Sequence, residues 1–378
     1  MGRRQILIGV DWYLPAFRAG GPIRSVANLV DLLMERDWVV WVLTGAYDLG
    51  DVEPLDVTTG QWIQRSPQLH VRYLLRDEMG ASAWREAIKM ANPDWLYLNS
   101  VYSRPFALDA LRLVRSEFPE LRVVLAPRGM LGAGALSIKP FKKQVFLRVA
   151  RWLGWFQNVR WHASTTLEEA EVHLWFPDAE VLVASNLPSS APKDNPDRPA
   201  DRWVLIATGR MNRKKNFDFG IRAIQAAELF IPVEIRLFGP PEDRVYLREM
   251  LALEQDQSRI SIRYMGSLNH HQLSQEYKKA HFLLLPTLHE NFGHSIAEAW
   301  AHGCPTLIAD TTPWRDLATK GIGRDWPLDL DVWVEGMTEV LSMPDSTWRE
   351  MSHAARHHFE TVVRSASIKE ANLRIFQP

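Results

Sequence analysis

The sequence predicts an α/β protein made of two doubly wound domains, each with a mostly parallel sheet. Short, continuous apolar segments alternate along the whole chain with longer segments of helical periodicity. Strands that are buried on both faces of a parallel sheet have this apolar pattern, and helices connect them. A polar, proline-rich segment, 188–201, divides the 378-residue chain into two halves of similar size.

The elements follow in chain order. The predicted strands of the first half are 5–10, 38–44, 95–99, 122–126, 160–163 and 181–185. Those of the second half are 203–208, 233–238, 260–264, 282–286 and 306–309. Helical periodicity is clearest in 23–34, 217–230 and 294–302. We therefore expect a first domain over 1–187, a linker over 188–201, a second domain over 202–359, and a last helix within about 360–378 that packs back on the first domain.

Composition excludes several classes of protein. Lys and Arg number 44 against 45 Asp and Glu, and this net charge of −1 argues against a nucleic-acid partner. A hydrophobic content of 46% excludes a disordered chain. The single cysteine, Cys304, excludes an internal disulfide and predicts a small buried residue. Since no apolar run approaches ~18 residues and the run before Asp11 is too short for a signal peptide, we expect a cytoplasmic protein.

A glycine-rich turn follows the first predicted strand. Gly20, Gly21 and Pro22 lead into a predicted helix, and backbone amides at such a helix N-terminus favour an anionic ligand. An ordinary Gly-Gly-Pro turn would explain the same residues. No Gly-x-Gly-x-x-Gly pattern follows any predicted strand, so the sequence lacks a dinucleotide-binding fingerprint.

A basic loop follows the first strand of the second half. Four cations lie between that strand and the next helix: Arg210, Arg213, Lys214 and Lys215. Guanidinium and ammonium groups at the carboxyl end of a buried strand, together with helix N-terminal amides, suit a diphosphate. The alternative is a solvated basic loop without a ligand.

A pair of carboxylates follows the predicted strand 282–286. Glu290 lies in a loop, Gly293 marks a turn, and Glu298 lies about one turn inside the next helix. Helical side chains lean toward the N-terminus, so Glu298 is directed toward the same loop. This arrangement of acceptors and amide donors suits a polyhydroxylated ligand. Alternatively, Glu290 caps the helix and Glu298 is a surface residue.

The same segment resembles a known family. Glu290 and Glu298, with Asn291, Phe292 and Gly293 between them, are similar to the Glu-x7-Glu motif of retaining GT-B glycosyltransferases of family 4, the glycosyl transferases group 1. The resemblance covers essentially the whole chain. It implies the GT-B fold, in which two Rossmann-like domains face each other across a cleft.

Other segments carry the same resemblance. Gly209-Arg210 and Lys215-Asn216 are similar to the family's diphosphate-binding residues, 264–268 to its base-binding segment, and Gly20-Gly21 to its N-terminal glycine loop. The segments 19–30, 126–143 and 310–317 resemble the branch that builds bacterial surface polysaccharides. The implied reaction moves a sugar from a nucleotide-diphosphate sugar to a glycan or a polyprenyl-diphosphate-linked glycan.

The resemblance also implies roles for individual residues. Arg210 and Lys215 would neutralise the leaving nucleoside diphosphate, and Glu290 with the amides of 291–293 would hold the donor sugar. Glu298 would bind the ribose, and Leu268 would pack beside the base. The implied mechanism is a front-face displacement in which the departing phosphate oxygen takes the acceptor proton. No Asp-x-Asp motif ends a strand, so we expect no metal and no other cofactor.

Arg128 departs from the family pattern. Many members have a histidine beside the donor sugar after the strand that corresponds to 122–126, whereas this chain has Pro127-Arg128-Gly129. We expect Arg128 to contact the donor or an anionic acceptor. Asn99 and Ser100, which end another strand, are candidate acceptor contacts. We expect His162 and His294 to be structural rather than catalytic.

A basic segment predicts a membrane contact. The segment 121–167 contains eight cations and no Asp or Glu. Drawn as a helix, 139–156 places apolar residues on one face: Phe141, Val145, Val149, Trp152 and Phe156. Lys143 and Arg151 lie off this face. Such a helix suits an anionic membrane, on the cytoplasmic face of the inner membrane, and a lipid-diphosphate acceptor. The alternative is that the aromatic face is core.

Two other functions remain open from the sequence. A GT-B sugar-nucleotide epimerase would show no acceptor preference and would need acid–base carboxylates around the sugar. The other alternative is a catalytically silent binding subunit. The complete set Arg210, Lys215 and Glu290 weighs against it, because a silent subunit would not need all three.

Overall fold

A computed structural model describes residues 3–136, 140–189, 198–254 and 259–377. The chain forms two compact units, the first made of Met1–Leu187 with Ala366–Pro378 and the second of Pro188–Ser365. Each unit contains one mostly parallel sheet with helices packed on it, which confirms the predicted fold class of two α/β domains. Most of the predicted linker, 190–197, lies outside the described residues.

The first unit contains an eight-stranded sheet in the order β3-β4-β2-β1-β5-β6-β7-β8. All neighbouring strands are parallel except β3 and β4. Its elements are β1 Gln5–Val10, α1 Gly21–Glu35, β2 Val39–Gly45, β3 Trp62–Ser66, β4 Leu69–Leu74, α2 Ala81–Ala91, β5 Trp95–Asn99, a π-helical turn Arg104–Leu108, α3 Asp109–Glu117, β6 Arg122–Ala126, α4 Ala133–Leu136, α5 Pro140–Trp152, β7 Val159–Ala163, α6 Thr166–Trp175 and β8 Glu180–Val183.

The continuous apolar runs arise because this sheet is covered on both faces. Leu7 of β1 belongs to a core cluster that includes residues of α2, α3 and α5. Its neighbours Ile6 and Ile8 belong to a second cluster with residues of α1. Successive side chains of a strand point to opposite faces, so a strand between two cores needs apolar residues at every position.

The second unit contains a six-stranded, wholly parallel sheet in the order β11-β10-β9-β12-β13-β14. Its elements are β9 Trp203–Thr208, α7 Phe217–Ala226, β10 Val233–Phe238, α8 Arg244–Leu251, β11 Ile260–Gly266, α9 His270–Lys279, β12 Phe282–Leu285, α10 His294–Ala301, β13 Thr306–Ala309, β14 Gly323–Trp326, α11 Leu330–Leu341, α12 Asp345–His358 and a π-helical turn Phe359–Val363. Buried apolar residues line both faces, and Cys304 is fully buried among them as expected.

The last helix, α13 Ala366–Arg374, belongs to the first unit. The Nδ2 of Asn372 donates to the carbonyl oxygen of Ser185 at 2.8 Å. The ring of Phe376 lies edge-on to Trp38 and Trp95, at centroid distances of 5.8 and 5.9 Å. These contacts attach the chain's C-terminal segment to the core of the first unit.

Three strands were not predicted: β3, β4 and β14. β3 is an antiparallel edge strand with two exposed residues, and β14, with the sequence Gly-Arg-Asp-Trp, is the polar edge of the second sheet. β4 alternates apolar and polar residues because its faces are unequally covered. Edge strands are half solvated, so they lack the continuous apolar runs on which the strand predictions depended.

Candidate functional site

The topology of the second sheet marks a ligand site between β9 and β12. From β9 the chain proceeds to β10 and β11 on one side, and β12 is added on the other side. In such sheets, ligands bind at the carboxyl ends of the strands where the order reverses. The basic loop follows β9 and the loop with Glu290 follows β12, so both predicted loops lie at this switch point.

Glycines leave the backbone uncovered at these strand ends. The amide of Gly209 donates to the carbonyl of Phe238, and the amide of Gly239 donates to that of Gly266, both at 2.9 Å. Gly239 has φ +140°, and a Cβ there would lie 1.9 Å from the carbonyl oxygen of Gly209. Only glycine allows this approach, which places bare backbone beside the cationic loop.

Lys215 and Glu290 form the centre of this site. The Nζ of Lys215 lies 2.6 Å from the Oε2 of Glu290, and the two side chains are 18% and 20% exposed. Burial raises the pKa of the Glu290 carboxyl, but the ammonium of Lys215 outweighs this effect and the net pKa lies below the ordinary 4.5. Glu290 is therefore held ionised at neutral pH.

The two loops are fastened together by Thr287, which the sequence did not single out. Its buried hydroxyl lies 3.1 Å from the carbonyl oxygen of Lys214, to which the amide of Leu288 also donates at 2.9 Å. The hydroxyl of Thr311 donates to the carbonyl of Thr287. These bonds fix the β12 loop against the β9 loop and so align Lys215 with Glu290.

Arg210 lies in the same loop with a different partner. Its Nη1 is 3.3 Å from the Oε1 of Glu242, and both side chains are close to half exposed. The Nδ2 of Asn212 donates to the other oxygen of Glu242 at 2.6 Å. The structure thus brings Lys215 to Glu290 and pairs Arg210 with a carboxylate that sequence reasoning missed.

The motif helix α10 begins directly after this loop. Gly293, at φ +79°, is its N-cap. Phe292 is buried, and its carbonyl accepts a hydrogen bond from the indole of Trp314. This contact anchors the segment 291–293. Glu298, within the helix, is mostly buried and lies 3.6 Å from the Nδ1 of His270.

Leu268 follows the last residue of β11 and packs partly buried against the core of the second unit. Gly266, at φ +80°, makes the turn that precedes it. The hydroxyl of Tyr264 donates to the carbonyl of Gly239 at 2.8 Å. The segment 264–268 is thereby attached to the glycine-lined strand ends.

Arg128 lies at the strand ends of the first unit, where its donors are used within the protein. Nε donates to Asn99 at 3.0 Å, Nη2 donates to the hydroxyl of Tyr97 at 2.7 Å, and Nη1 donates to Asn186. The hydroxyl of Tyr97 also bonds to His162 at 2.7 Å. Burial, and then the charge of Arg128, lower the pKa of His162 to about 3, so this histidine is neutral and structural, as expected.

The candidate acceptor contacts of the first unit are hydrogen-bonded to backbone groups. Asn99 and Ser100 are buried, and the hydroxyl of Ser100 accepts from the amides of Tyr102 and Ser103. This burial and these bonds give both residues a structural explanation. Their contact with the acceptor stays a prediction.

The glycine turn of the first unit is organised by a buried carboxylate. Gly20, at φ +70°, is the N-cap of α1, which begins at Gly21. Asp48, which the sequence did not indicate, accepts from the amides of Phe17 at 2.9 Å and Arg18 at 3.1 Å. Both glycines therefore lie in a shaped turn at a helix N-terminus.

Helix α5 exposes most of the apolar face that the sequence predicted. Phe141 and Trp152 are 79% and 83% exposed, and Val145 and Val149 are exposed between them. Phe156 was wrongly placed on this face: α5 ends at Trp152, and Phe156 is buried in the core. Lys139, the first residue of the predicted surface, lies outside the described residues.

The charges beside this face differ from the prediction at one position. The ammonium of Lys143 donates to the carbonyl of Ala135 at 2.6 Å and lies 5.3 Å from the ring of Tyr102, so it faces the protein. Lys142, Arg148 and Arg151 are exposed. In the described part of the chain, no helix combines the length and hydropathy that crossing a membrane requires.

A family model matches most of the second unit. The family model "Glycosyl transferases group 1" matches residues 191–358, which is nearly all of that unit. The O-antigen chain mannosyltransferase RfbU of Salmonella typhimurium is 25% identical over 101 residues. That alignment covers 27% of this chain and only 29% of the relative.

Solved structures resemble the whole chain. The sucrose-phosphate synthase of Thermosynechococcus elongatus has a TM-score of 0.75 at 16% identity, with 99% of this chain and 98% of that chain covered. WaaG, a glycosyltransferase involved in lipopolysaccharide biosynthesis, has a TM-score of 0.63 at 16% identity, with 98% and 99% covered. At these identities the similarity concerns the fold, and it confirms the predicted GT-B class.

Proposed function

Because the family model of the glycosyl transferases group 1 matches residues 191–358, we propose that the protein transfers a sugar from a nucleotide-diphosphate sugar with retention of anomeric configuration. The contact of Lys215 with Glu290 carries the proposal, since it joins a cationic loop to a carboxylate loop at the switch point. A sugar diphosphate has anionic oxygens and hydroxyls side by side, and these two loops offer the complementary groups.

Arg210 and Lys215 of the β9 loop would receive the diphosphate. The ion pair of Arg210 with Glu242 is solvent-exposed, and such pairs contribute about 0–1 kcal/mol. Exchanging Glu242 for a phosphate oxygen would therefore cost Arg210 little. Lys215 would lie between Glu290 and the phosphate, where one ammonium can donate to both.

The remaining loops would hold the sugar and the nucleoside. Glu290, which is ionised, can accept bonds from sugar hydroxyls, and the amides of 291–293 at the start of α10 can donate to them. Glu298 would bind the ribose, and Leu268 would pack beside the base after β11. The glycine-lined strand ends would allow the diphosphate to approach the backbone.

The chemistry we propose is a front-face displacement. The bond between the anomeric carbon and the phosphate oxygen breaks, the acceptor oxygen forms the new bond on the same face, and the departing phosphate oxygen takes the acceptor proton. Arg210 and Lys215 would stabilise the charge that develops on the diphosphate. No metal takes part in this scheme, so we expect a chelator to leave the transfer rate unchanged.

A donor screen followed by product analysis tests the function. The nucleotide-sugar that the protein binds should raise its melting temperature, among UDP-, GDP-, ADP- and dTDP-sugars. Incubation with that donor and glycan acceptors should then yield a glycosidic bond with the same anomeric configuration as the donor. An inverted product would contradict retention. An epimerised donor in the absence of acceptor would indicate an epimerase, and a bound but unreacted donor would indicate a binding subunit.

We further propose a lipid-linked glycan acceptor in bacterial surface polysaccharide synthesis, used at an anionic membrane surface on the cytoplasmic side. This branch is supported by the names of two similar proteins: RfbU is an O-antigen chain mannosyltransferase, and WaaG is a glycosyltransferase involved in lipopolysaccharide biosynthesis. Helix α5 supports the membrane contact, since exposed Phe141 and Trp152 are flanked by the cations Lys142, Arg148 and Arg151.

Sedimentation with vesicles tests this contact. Phe141→Ser/Trp152→Ser should abolish sedimentation with phosphatidylglycerol vesicles, because the face then loses its two largest apolar side chains. Leu167→Ser/Leu174→Ser is the matched control, since these exposed apolar residues lie at the ends of a different helix, α6. Equal sedimentation of both double variants would contradict a contact through α5.

A further inference from the structure

A cavity of about 520 Å³ opens between the π-helical turn, α3 and α5 of the first unit. Its wall carries three arginines, one carboxylate and two aromatic rings: Arg104, Arg112, Arg115, Asp109, Phe146 and Trp155. Small-molecule sites have volumes of about 300–1,000 Å³, so the cavity can hold a ligand. The proposed transfer reaction gives this cavity no role.

The arginines give the cavity a net positive charge. Arg104 is exposed, and its Nε lies 3.9 Å from the single carboxylate, that of Asp109. Arg115 donates from Nη1 to the carbonyl of Gly154 at 2.9 Å, which leaves its other nitrogens available. Within the described residues, the side chain of Arg112 has no hydrogen-bond or ion-pair partner. Planar guanidinium groups bind phosphate oxygens in pairs, so this set favours a phosphate.

The aromatic residues place the cavity beside α5, since Phe146 lies in this helix and Trp155 follows it. The rings of Phe146 and Trp155 pack edge-on at 5.7 Å and form an apolar wall beside the arginines. Val145 and Val149, which flank Phe146 on α5, are exposed. A ligand with its phosphate on the arginines could therefore extend an apolar tail along the same surface. This combination of groups is that of a phospholipid.

We propose that this cavity binds the phosphate headgroup of an anionic phospholipid while the exposed face of α5 lies in the bilayer surface. The inference rests on the membrane contact proposed above and adds to it a specific site for one headgroup. It predicts a saturable, headgroup-selective component of binding. Diffuse attraction between a basic helix and negative charge lacks that component.

Calorimetry with a monomeric short-chain lipid tests the site. The full chain should bind dihexanoyl-phosphatidylglycerol saturably and dihexanoyl-phosphatidylcholine far more weakly. Arg104→Gln/Arg112→Gln should reduce the affinity about tenfold or more. The matched control, Arg3→Gln/Arg36→Gln, removes the same charge from exposed positions of the first unit outside both the cavity and α5, and should keep the affinity within about twofold. An equal loss in both double variants would overturn the site.

Two further measurements distinguish an incorrect headgroup site from an incorrect membrane contact. Inorganic phosphate that binds the cavity as tightly as the short-chain lipid would overturn the lipid source. Wild-type protein that does not sediment with phosphatidylglycerol vesicles would overturn the membrane contact itself. If the wild type sediments and the cavity variant binds the short-chain lipid normally, only the headgroup site is wrong.

Discussion

The strand ends of the two units differ in how their charged residues are used. In the second unit, Lys215 and Glu290 pair at the switch point and stay partly exposed beside bare glycine backbone. In the first unit, Arg128 also follows a central strand, but its guanidinium donates to Tyr97, Asn99 and Asn186. The partners differ: Lys215 pairs with a carboxylate of the neighbouring loop at the switch point, whereas Arg128 holds three neutral side chains of the fold together, so a cation at a strand end does not by itself indicate a ligand site.

The largest expected effect concerns turnover at the second unit. Lys215→Met should reduce kcat on the order of 10²–10³-fold, about 2.7–4 kcal/mol, because the leaving diphosphate loses a preorganised cation. Arg210→Gln should act in the same direction. Arg213→Gln is the control in the same loop, since Arg213 pairs with Glu249 and Asp243 instead. Steady-state kinetics with the identified donor measures all three variants. A kcat of Lys215→Met that is similar to that of the wild type would remove Lys215 from the mechanism.

In the first unit, the corresponding substitution at Arg128 should lower the free energy of unfolding. Arg128→Met should destabilise it by about 2–3 kcal/mol, because three hydrogen bonds are lost and Asn99 and Asn186 lose a charged donor. Urea unfolding monitors the change, and nucleotide affinity should stay unchanged. A variant with normal stability and reduced turnover would show instead that Arg128 contacts substrate, as the sequence analysis expected.

Acid titration sharpens the role of the pair in the second unit. Burial raises the pKa of Glu290 and Lys215 brings it below 4.5, so the stability from this ionised carboxylate is present above pH 4.5 and lost as the pH falls through the lowered pKa. In Lys215→Met the largest charge that opposes burial is lost, and the pKa of Glu290 should rise, since only Lys214 and His294 still lower it. We expect a deficit of about 1–3 kcal/mol at pH 7, because a partly buried partner is removed. In unfolding experiments this deficit should narrow toward pH 4; a constant deficit would contradict the coupling.

The smallest expected effect concerns nucleotide affinity. Glu298→Gln should weaken binding of the free nucleotide by about 1–2 kcal/mol, because one of the two acceptor oxygens offered to the ribose is replaced by an amide donor. Glu249→Gln, on the exposed side of α8, is the matched control. Undiminished affinity in calorimetry would contradict the ribose role.

The sequence predicted the elements that are buried on both faces. β1, β5, β6, β9, β10 and β13 have the predicted bounds, because most of them are nearly continuous apolar runs; β10 is the exception, with Glu234 and Arg236 between its apolar residues. The half-solvated strands β3, β4 and β14 lack that signal. The amphipathic helix α5 was predicted, but its end was placed one turn too late. The helix ends at Trp152, and Phe156 lies beyond it in the core.

The site could be predicted in position but not in its contacts. Strand ends indicated where Lys215 and Glu290 would lie, since β9 and β12 are neighbours in the sheet. Their supporting residues carry no local pattern. Thr287 and Glu242 act through contacts with loops that are distant in sequence, and the use of Arg128 depends on Asn186, 58 positions along the chain.

Calorimetric titration of the second unit's ligand within the intact chain is the most direct test of the account. One nucleoside diphosphate should bind the wild type and Arg213→Gln with similar affinity, and Lys215→Met at least about tenfold more weakly. Binding by Lys215→Met that equals the wild type, or no binding of any nucleoside diphosphate, would contradict a diphosphate site at the β9–β12 switch point.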